Sequence, residues 1–264
     1  MLLPLRLLLA IALLPLRLLF KLPWRLILEV KLIAIGFAAG LAAAYGLHLR
    51  DAYRTWGLVP GDRQREMPGD DAVPNARIVD TRSLSIEAPP AEVWPWLVQL
   101  GYGRGGWYGF SRMDSTGSPA GTAADRVLEE FQDLAVDDVV PTHAGGGFVV
   151  RELEAGSSLV LYLDSDMVKE QMAAAAAEND VDMEDATSGP FGRGFGEDMP
   201  DFRLSWAVSL EPEGDDGTRL ISRYRVKVKL RGTKKQVGFR VIRYGLFASI
   251  RRLMLGLKEN VEQA

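Results

Sequence analysis

The sequence predicts an α+β fold: a curved antiparallel sheet wrapped around a long C-terminal helix, with one or more membrane helices at the N-terminus. Three observations lead there. Short runs of alternating apolar residues recur between residues 78 and 231, residues 236 to 260 carry apolar positions three and four apart, and the first fifty residues are almost continuously apolar up to Leu49.

A chain of 264 residues holds one domain of ordinary size and an accessory segment. The absence of cysteine excludes disulfides, thiolate metal sites and a cysteine nucleophile, and leaves either side of a membrane open. The formal net charge of −4 sums opposed blocks. Residues 164 to 201 hold many acids against only Lys169 and Arg193, whereas residues 219 to 258 hold thirteen Lys or Arg and no acid.

Residues 1 to 59 read as a membrane anchor. Its main span is 32 to 49, LIAIGFAAGLAAAYGLHL, uncharged with His48 neutral and bounded by Lys31 and Arg50. Eighteen residues reach about 27 Å as a helix, close to the roughly 30 Å hydrocarbon core of a bilayer. Gly36 and Gly40 form a GxxxG pair, read either as a helix contact face or as merely tolerated. Upstream, residues 2 to 20 repeat the unit PLRLL and fit a second span or, with Lys21, Trp24 and Arg25, an interfacial basic segment. Ala42-Ala43-Ala44 allows a cleaved secretory signal, although some thirty residues precede the apolar run. Basic residues balance across the span, so orientation stays open.

Residues 60 to 75, PGDRQREMPGDDAVPN, have the composition of a solvated tether, and the folded domain is expected at 76 to 264. Residues 78 to 88 have β-forming character and stop at Pro89-Pro90. Proline suits a first helical turn, so Pro90 onward reads as a short helix with Val93, Trp94, Leu97 and Leu100 on one stripe. GFVVREL at 147 to 153 and SSLVLYL at 157 to 163 flank Glu154-Ala155-Gly156 as a hairpin. The acidic insert 164 to 201 reads as a short helix and a loop. Two further strands, 202 to 210 and 219 to 231, place Trp206 and Tyr224 inward and a basic row from Arg223 to Arg231 outward. Residues 236 to 260 form the long amphipathic helix.

That order, with LSIEAPPAEVWPWLVQLGYGRGGWY at 84 to 108, DRVLEEFQDLAVDDVV at 125 to 140 and FRLSWAVSLEP at 202 to 212, resembles the START-like superfamily. Within it, residues 78 to 260 look most like the SRPBCC proteins grouped with polyketide cyclases and lipid-transfer proteins. The resemblance implies a helix-grip fold with a hydrophobic cavity between sheet and long helix. The anchor and the acidic insert depart from the family pattern.

Gly101 to Gly106 matches G-x-G-x-x-G, but a helical stripe precedes it and Trp107-Tyr108-Gly109-Phe110 follows, so the strand-turn-helix context of a nucleotide site is missing. The resemblance makes these glycines a turn leading the aromatics to the cavity mouth. Candidate ligand-binding residues are Arg104, Trp107, Tyr108, Phe110, Asp114, Trp206 and Tyr224, each of the aromatics competing with a plain core role. His48 and His143 are the only histidines, so no catalytic set is readable; no metal-ligand spacing occurs, and no cofactor is expected. The expected partners are a hydrophobic small molecule or lipid and the membrane, with no nucleic acid. The expected function is a membrane-anchored START-like domain binding an apolar ligand; a cyclase or dehydratase acting on a hydrophobic substrate, and a non-catalytic structural or regulatory membrane protein, are the alternatives.

Overall fold

The computed structural model describes residues 31–37, 39, 40, 43, 45, 46, 55–109, 123–143, 145–177, 200–229 and 233–264, with side chains of 233–245 and of residue 176 outside that set. Two compact units divide at Arg54 and Thr55.

In the second unit, six antiparallel strands form one sheet in the order β1-β6-β5-β4-β3-β2. They are β1 (Ile78–Ile86), β2 (Val139–His143), β3 (Gly146–Glu154), β4 (Ser158–Asp164), β5 (Phe202–Glu213) and β6 (Gly217–Val228). The helices are α1 (Pro90–Val98), α2 (Ser165–Ala177) and α3 (Thr233–Val261). Gly156 and Gly214, at φ 77° and 67°, close the β3–β4 and β5–β6 hairpins, where a left-handed residue matches the strand twist. Pro90 occupies the first helical position of α1, where its missing N–H costs nothing.

Alternation sorts the strands into two faces. On the inner face, Trp206, Val208, Leu161, Phe148 and Ile86 meet Val93, Trp96 and Leu97 of α1 and Tyr108 from the following loop. Each such side chain contributes about 1.5–3 kcal/mol of transfer energy before entropy is subtracted.

The outer face is not left to solvent. Residues 55 to 75 fold back over β1 and β6, and Met67 joins Val160, Ala207 and Ile221 in a second small core. Gly69 makes this approach possible: at φ 73°, a Cβ there would sit 2.4 Å from Val160 Cγ1. Charge pairs fix the segment. Arg219 Nη2 donates to Asp62 Oδ2 at 2.8 Å and to Ser83 Oγ at 2.7 Å. Arg223 donates to Asp70 Oδ2 at 2.7 Å, to the Arg65 and Asp62 carbonyls at 2.8 Å each, and to Thr81 Oγ1 at 3.0 Å. Burial alone would raise the Asp62 pKa, but the Val59 N–H, Arg219 and Ser83 bonds outweigh it and hold the carboxyl below its usual value. The stretch expected as a solvated tether is therefore part of the domain: its prolines and glycines supply tight turns, and two of its three aspartates, Asp62 and Asp70, find arginines on β6.

The expected fold class requires correction on two counts. The sheet does not wrap around a long C-terminal helix. The principal contacts of α3 with described elements are with α1 and the edge strand β1, and among its residues whose side chains are described, from Leu246 onward, the buried ones are Ile250, Leu253, Met254, Gly256, Leu257 and Val261. Amphipathic periodicity reported an apolar face on this helix but not which surface covers it; α1 and Tyr108 already occupy much of the inner face. Nor is an N-terminal membrane helix found: among the described residues no helix is long and apolar enough to cross a membrane. The described residues between 31 and 46 are helical, with Leu32, Ile33, Ile35, Phe37 and Tyr45 between 52% and 71% exposed. The suggested first span, 2 to 20, lies outside the described residues.

Candidate functional site

Strand register places an aromatic floor at the centre of the inner face. Trp206 on β5 stands directly opposite Tyr224 on β6, and Leu161 of β4 continues the row. The Trp206 and Tyr224 rings stack at 5.0 Å and 16° between planes. Trp107 also stacks with Trp206, at 6.1 Å and 29° between planes, and Phe148 meets Trp206 edge-on at 6.0 Å. Trp206 Nε1 donates to Ser222 Oγ at 2.9 Å, which satisfies the indole in a dry setting.

The same row carries charge. Asp80 on β1 pairs in register with Tyr224, and Arg82 pairs with Ser222, so both ionisable residues lie on the inner face. Arg82 Nη1 contacts Asp80 Oδ1 at 2.5 Å, with the two side chains 4% and 16% exposed. The Arg82 guanidinium also donates to the Thr81 carbonyl at 2.6 Å and lies 5.1 Å from the Phe247 ring centre on α3. Phe247 in turn meets Trp56 edge-on at 6.4 Å, closing that side of the floor with a residue from the folded-back segment. Burial, with the Asp80 charge as a lesser cause, pushes the Tyr224 phenol well above its usual pKa, so it stays protonated.

One end of this face is more open than the other. The rows toward Leu210, Leu220 and Ile86 are buried under α1 apart from half-buried Leu84, whereas in the rows beyond Tyr224 Ile78, Leu204 and Phe202 are half-buried beside buried Val226, Val228 and Leu163. The arrangement is an apolar wall with a neutral, hydrogen-bonding spot at the edge of its covered part.

The seven residues named from sequence separate on inspection. Trp107, Trp206 and Tyr224 come together in the stack. Tyr108 turns into the core, where its hydroxyl donates to the Trp96 carbonyl at 3.2 Å and accepts from Gln99 Nε2 at 2.6 Å. Arg104 holds two loops together, donating to the Val98 and Phe131 carbonyls at 3.0 and 3.3 Å and lying over the Phe131 ring at 4.7 Å. Burial lowers its pKa, opposed by Asp138 and Asp133. Phe110 and Asp114 lie outside the described residues. The glycine motif is a closed turn: Gly101 and Gly106 bridge each other at 3.0 Å, and the Gly105 N–H donates to the Gln99 carbonyl at 2.7 Å, so these amides are already committed to the backbone. No helix starts at its last glycine.

Sequence reading missed Asp80 and Arg82; it puts Ser222 on the inward face of its strand but gives it no role at the site. A signal was present: in Ile78-Val79-Asp80-Thr81-Arg82-Ser83-Leu84, the strand period puts two charges on the face that Ile78 and Leu84 mark as inward.

No family model matches the chain, and no curated protein matches it. Among solved structures, a conserved protein from Geobacillus kaustophilus aligns over 70% of this chain and 96% of its own, at 13% identity and a TM-score of 0.36.

Proposed function

We propose that this chain is a membrane-associated protein whose folded domain binds an apolar small molecule or lipid against the inner face of its sheet. The observation that carries the reading is the floor of Trp107, Trp206 and Tyr224 beside half-buried Ile78, Leu204 and Phe202, which offers an apolar ligand flat, rigid surface at little entropic cost. The resemblance of residues 84 to 108 to the SRPBCC proteins favours the same ligand class. To test it, the purified full chain is extracted with organic solvent and the extract analysed by mass spectrometry. An apolar compound recovered in molar proportion to the protein is expected; protein that carries none and takes none from a total lipid extract would refute the reading.

Membrane association rests on the exposed apolar side chains between Leu32 and Tyr45, a patch that a water-facing helix does not retain. The full chain is expected to float with phospholipid vesicles in a density gradient, and a chain starting at residue 55 to remain at the bottom. Flotation of both, or of neither, would remove the N-terminal unit from the account.

A second reading, an enzyme of the cyclase or dehydratase type acting on a hydrophobic substrate, is favoured by one observation. Asp80, Arg82 and Tyr224 give the inner face an acid, a cation and a phenol within neighbouring rows, the groups that such chemistry would use.

A further inference from the structure

The inner face holds few buried polar side chains, and the chain itself satisfies most of them. Gln99 is bonded to Tyr108, to the Arg126 carbonyl and to the Leu128 N–H, and Ser222 is bonded to Trp206. Tyr224 differs. Its residue is 6% exposed, yet among the described residues its hydroxyl makes no hydrogen bond.

What surrounds that hydroxyl defines its partner. Asp80 faces it across the β1–β6 pair, and Arg82, one inner position along β1, neutralises Asp80. A carboxylate or phosphate brought here would meet the Asp80 charge, and an ammonium would meet the guanidinium. The apolar residues beyond, Ile78, Leu204 and Phe202, suit a hydrocarbon skeleton. A protonated phenol in such a setting donates, and the complement of a donor in an apolar wall is an uncharged oxygen acceptor.

We propose that the Tyr224 hydroxyl is the polar anchor of the site and that its ligand is an uncharged apolar molecule carrying a carbonyl oxygen, as in a long-chain ketone, ester or quinone. The inference rests on the binding reading above. Asp80 and Arg82 act as a mutually neutralising pair that excludes charged amphiphiles, and Trp206 supports the Tyr224 ring from behind by stacking.

The test uses the full chain in lipid nanodiscs, with protein-free nanodiscs subtracted, and titrates 2-nonanone, n-nonane and nonanoate by calorimetry. Wild type is expected to bind the ketone about tenfold more tightly than the alkane, the ratio that one hydrogen bond of ordinary strength supplies. Tyr224→Phe keeps the ring and its stack, and is expected to reduce that ratio below about twofold while leaving alkane affinity unchanged. Asp80→Asn removes the carboxylate charge that faces Tyr224, and is expected to raise nonanoate affinity about tenfold while the ketone changes little. Equal binding of ketone and alkane by wild type, or tightest binding of nonanoate, overturns the carbonyl assignment and leaves apolar binding standing. Binding of none of the three overturns both. The wild-type comparison decides even where a variant fails to fold.

Discussion

Arg223→Leu is expected to destabilise the folded domain by about 3–5 kcal/mol, the usual cost of removing one partner from a buried charge pair. The Arg223 side chain is 2% exposed and holds both charged and backbone groups of the covering segment, Asp70 together with the carbonyls of Asp62 and Arg65. Its loss leaves those carbonyls without their donor beneath residues 61 to 70. Asp70 then retains Arg225, at 3.3 Å, as its ion-pair partner, together with the Met67 N–H at 3.1 Å. The expected result is a lower urea midpoint accompanied by faster amide exchange across residues 61 to 70. Lys227→Leu is the matched control: it lies on the same face of the same strand but is exposed, so its change should stay within about 0.5 kcal/mol. Equal effects of the two substitutions would mean that the covering segment contributes little to the fold.

That contrast also measures what was legible in the sequence. In RLISRYRVKVKLR the alternation correctly assigns Arg223, Arg225 and Lys227 to one face, because strand periodicity is local. It does not say that Arg223 is buried and Lys227 is not, since burial depends on a segment some 150 residues earlier in the chain. Residues 60 to 75 were opaque for the same reason: prolines, glycines and acids look alike in a tether and in a run of tight turns, and only the arginines waiting on β6 decide between them. The strand Val139–His143 was missed because it is short and contains Pro141, which suits an edge strand and weakens the β signal. The error on the C-terminal helix was one of context. Spacing of Leu246, Ile250, Leu253 and Leu257 reports an apolar stripe on a helix, but a stripe satisfied by α1 and β1 is written no differently from one gripped by a sheet. At the site, aromatic residues were visible as bulk, and Trp206 and Tyr224 were placed on the inner face. Asp80 and Arg82 were overlooked because charges in a first strand read as solvent-facing until the register pairs them with Tyr224 and Ser222.

Trp206→Ala is expected to cost about 3–5 kcal/mol, the range for emptying the place of a large buried aromatic. Trp206 is 2% exposed and touches Trp107, Tyr224 and Phe148 through its ring. Trp206→Phe separates the ring from the indole N–H: it keeps most of the stacked area but leaves Ser222 Oγ without its donor, for a loss of about 1–2 kcal/mol. If the two substitutions proved equally harmful, the hydrogen bond and not the stack would hold the floor together. The alanine variant further distinguishes a ligand surface from ordinary core. Removing the indole opens a space walled by Trp107, Tyr224 and Phe148, next to the half-buried end of the inner face. An apolar cavity in a well-packed interior stays dry and accepts a small apolar guest. A ligand that already enters beside Tyr224 would extend into that space and bind the variant more tightly. Because a guest stabilises the folded form in proportion to its occupancy, 2-nonanone should then raise the unfolding temperature of Trp206→Ala by more than that of wild type. A variant whose unfolding temperature does not respond to the ketone would show that the space is sealed from the route by which ligand arrives, and would make Trp206 a core residue alone.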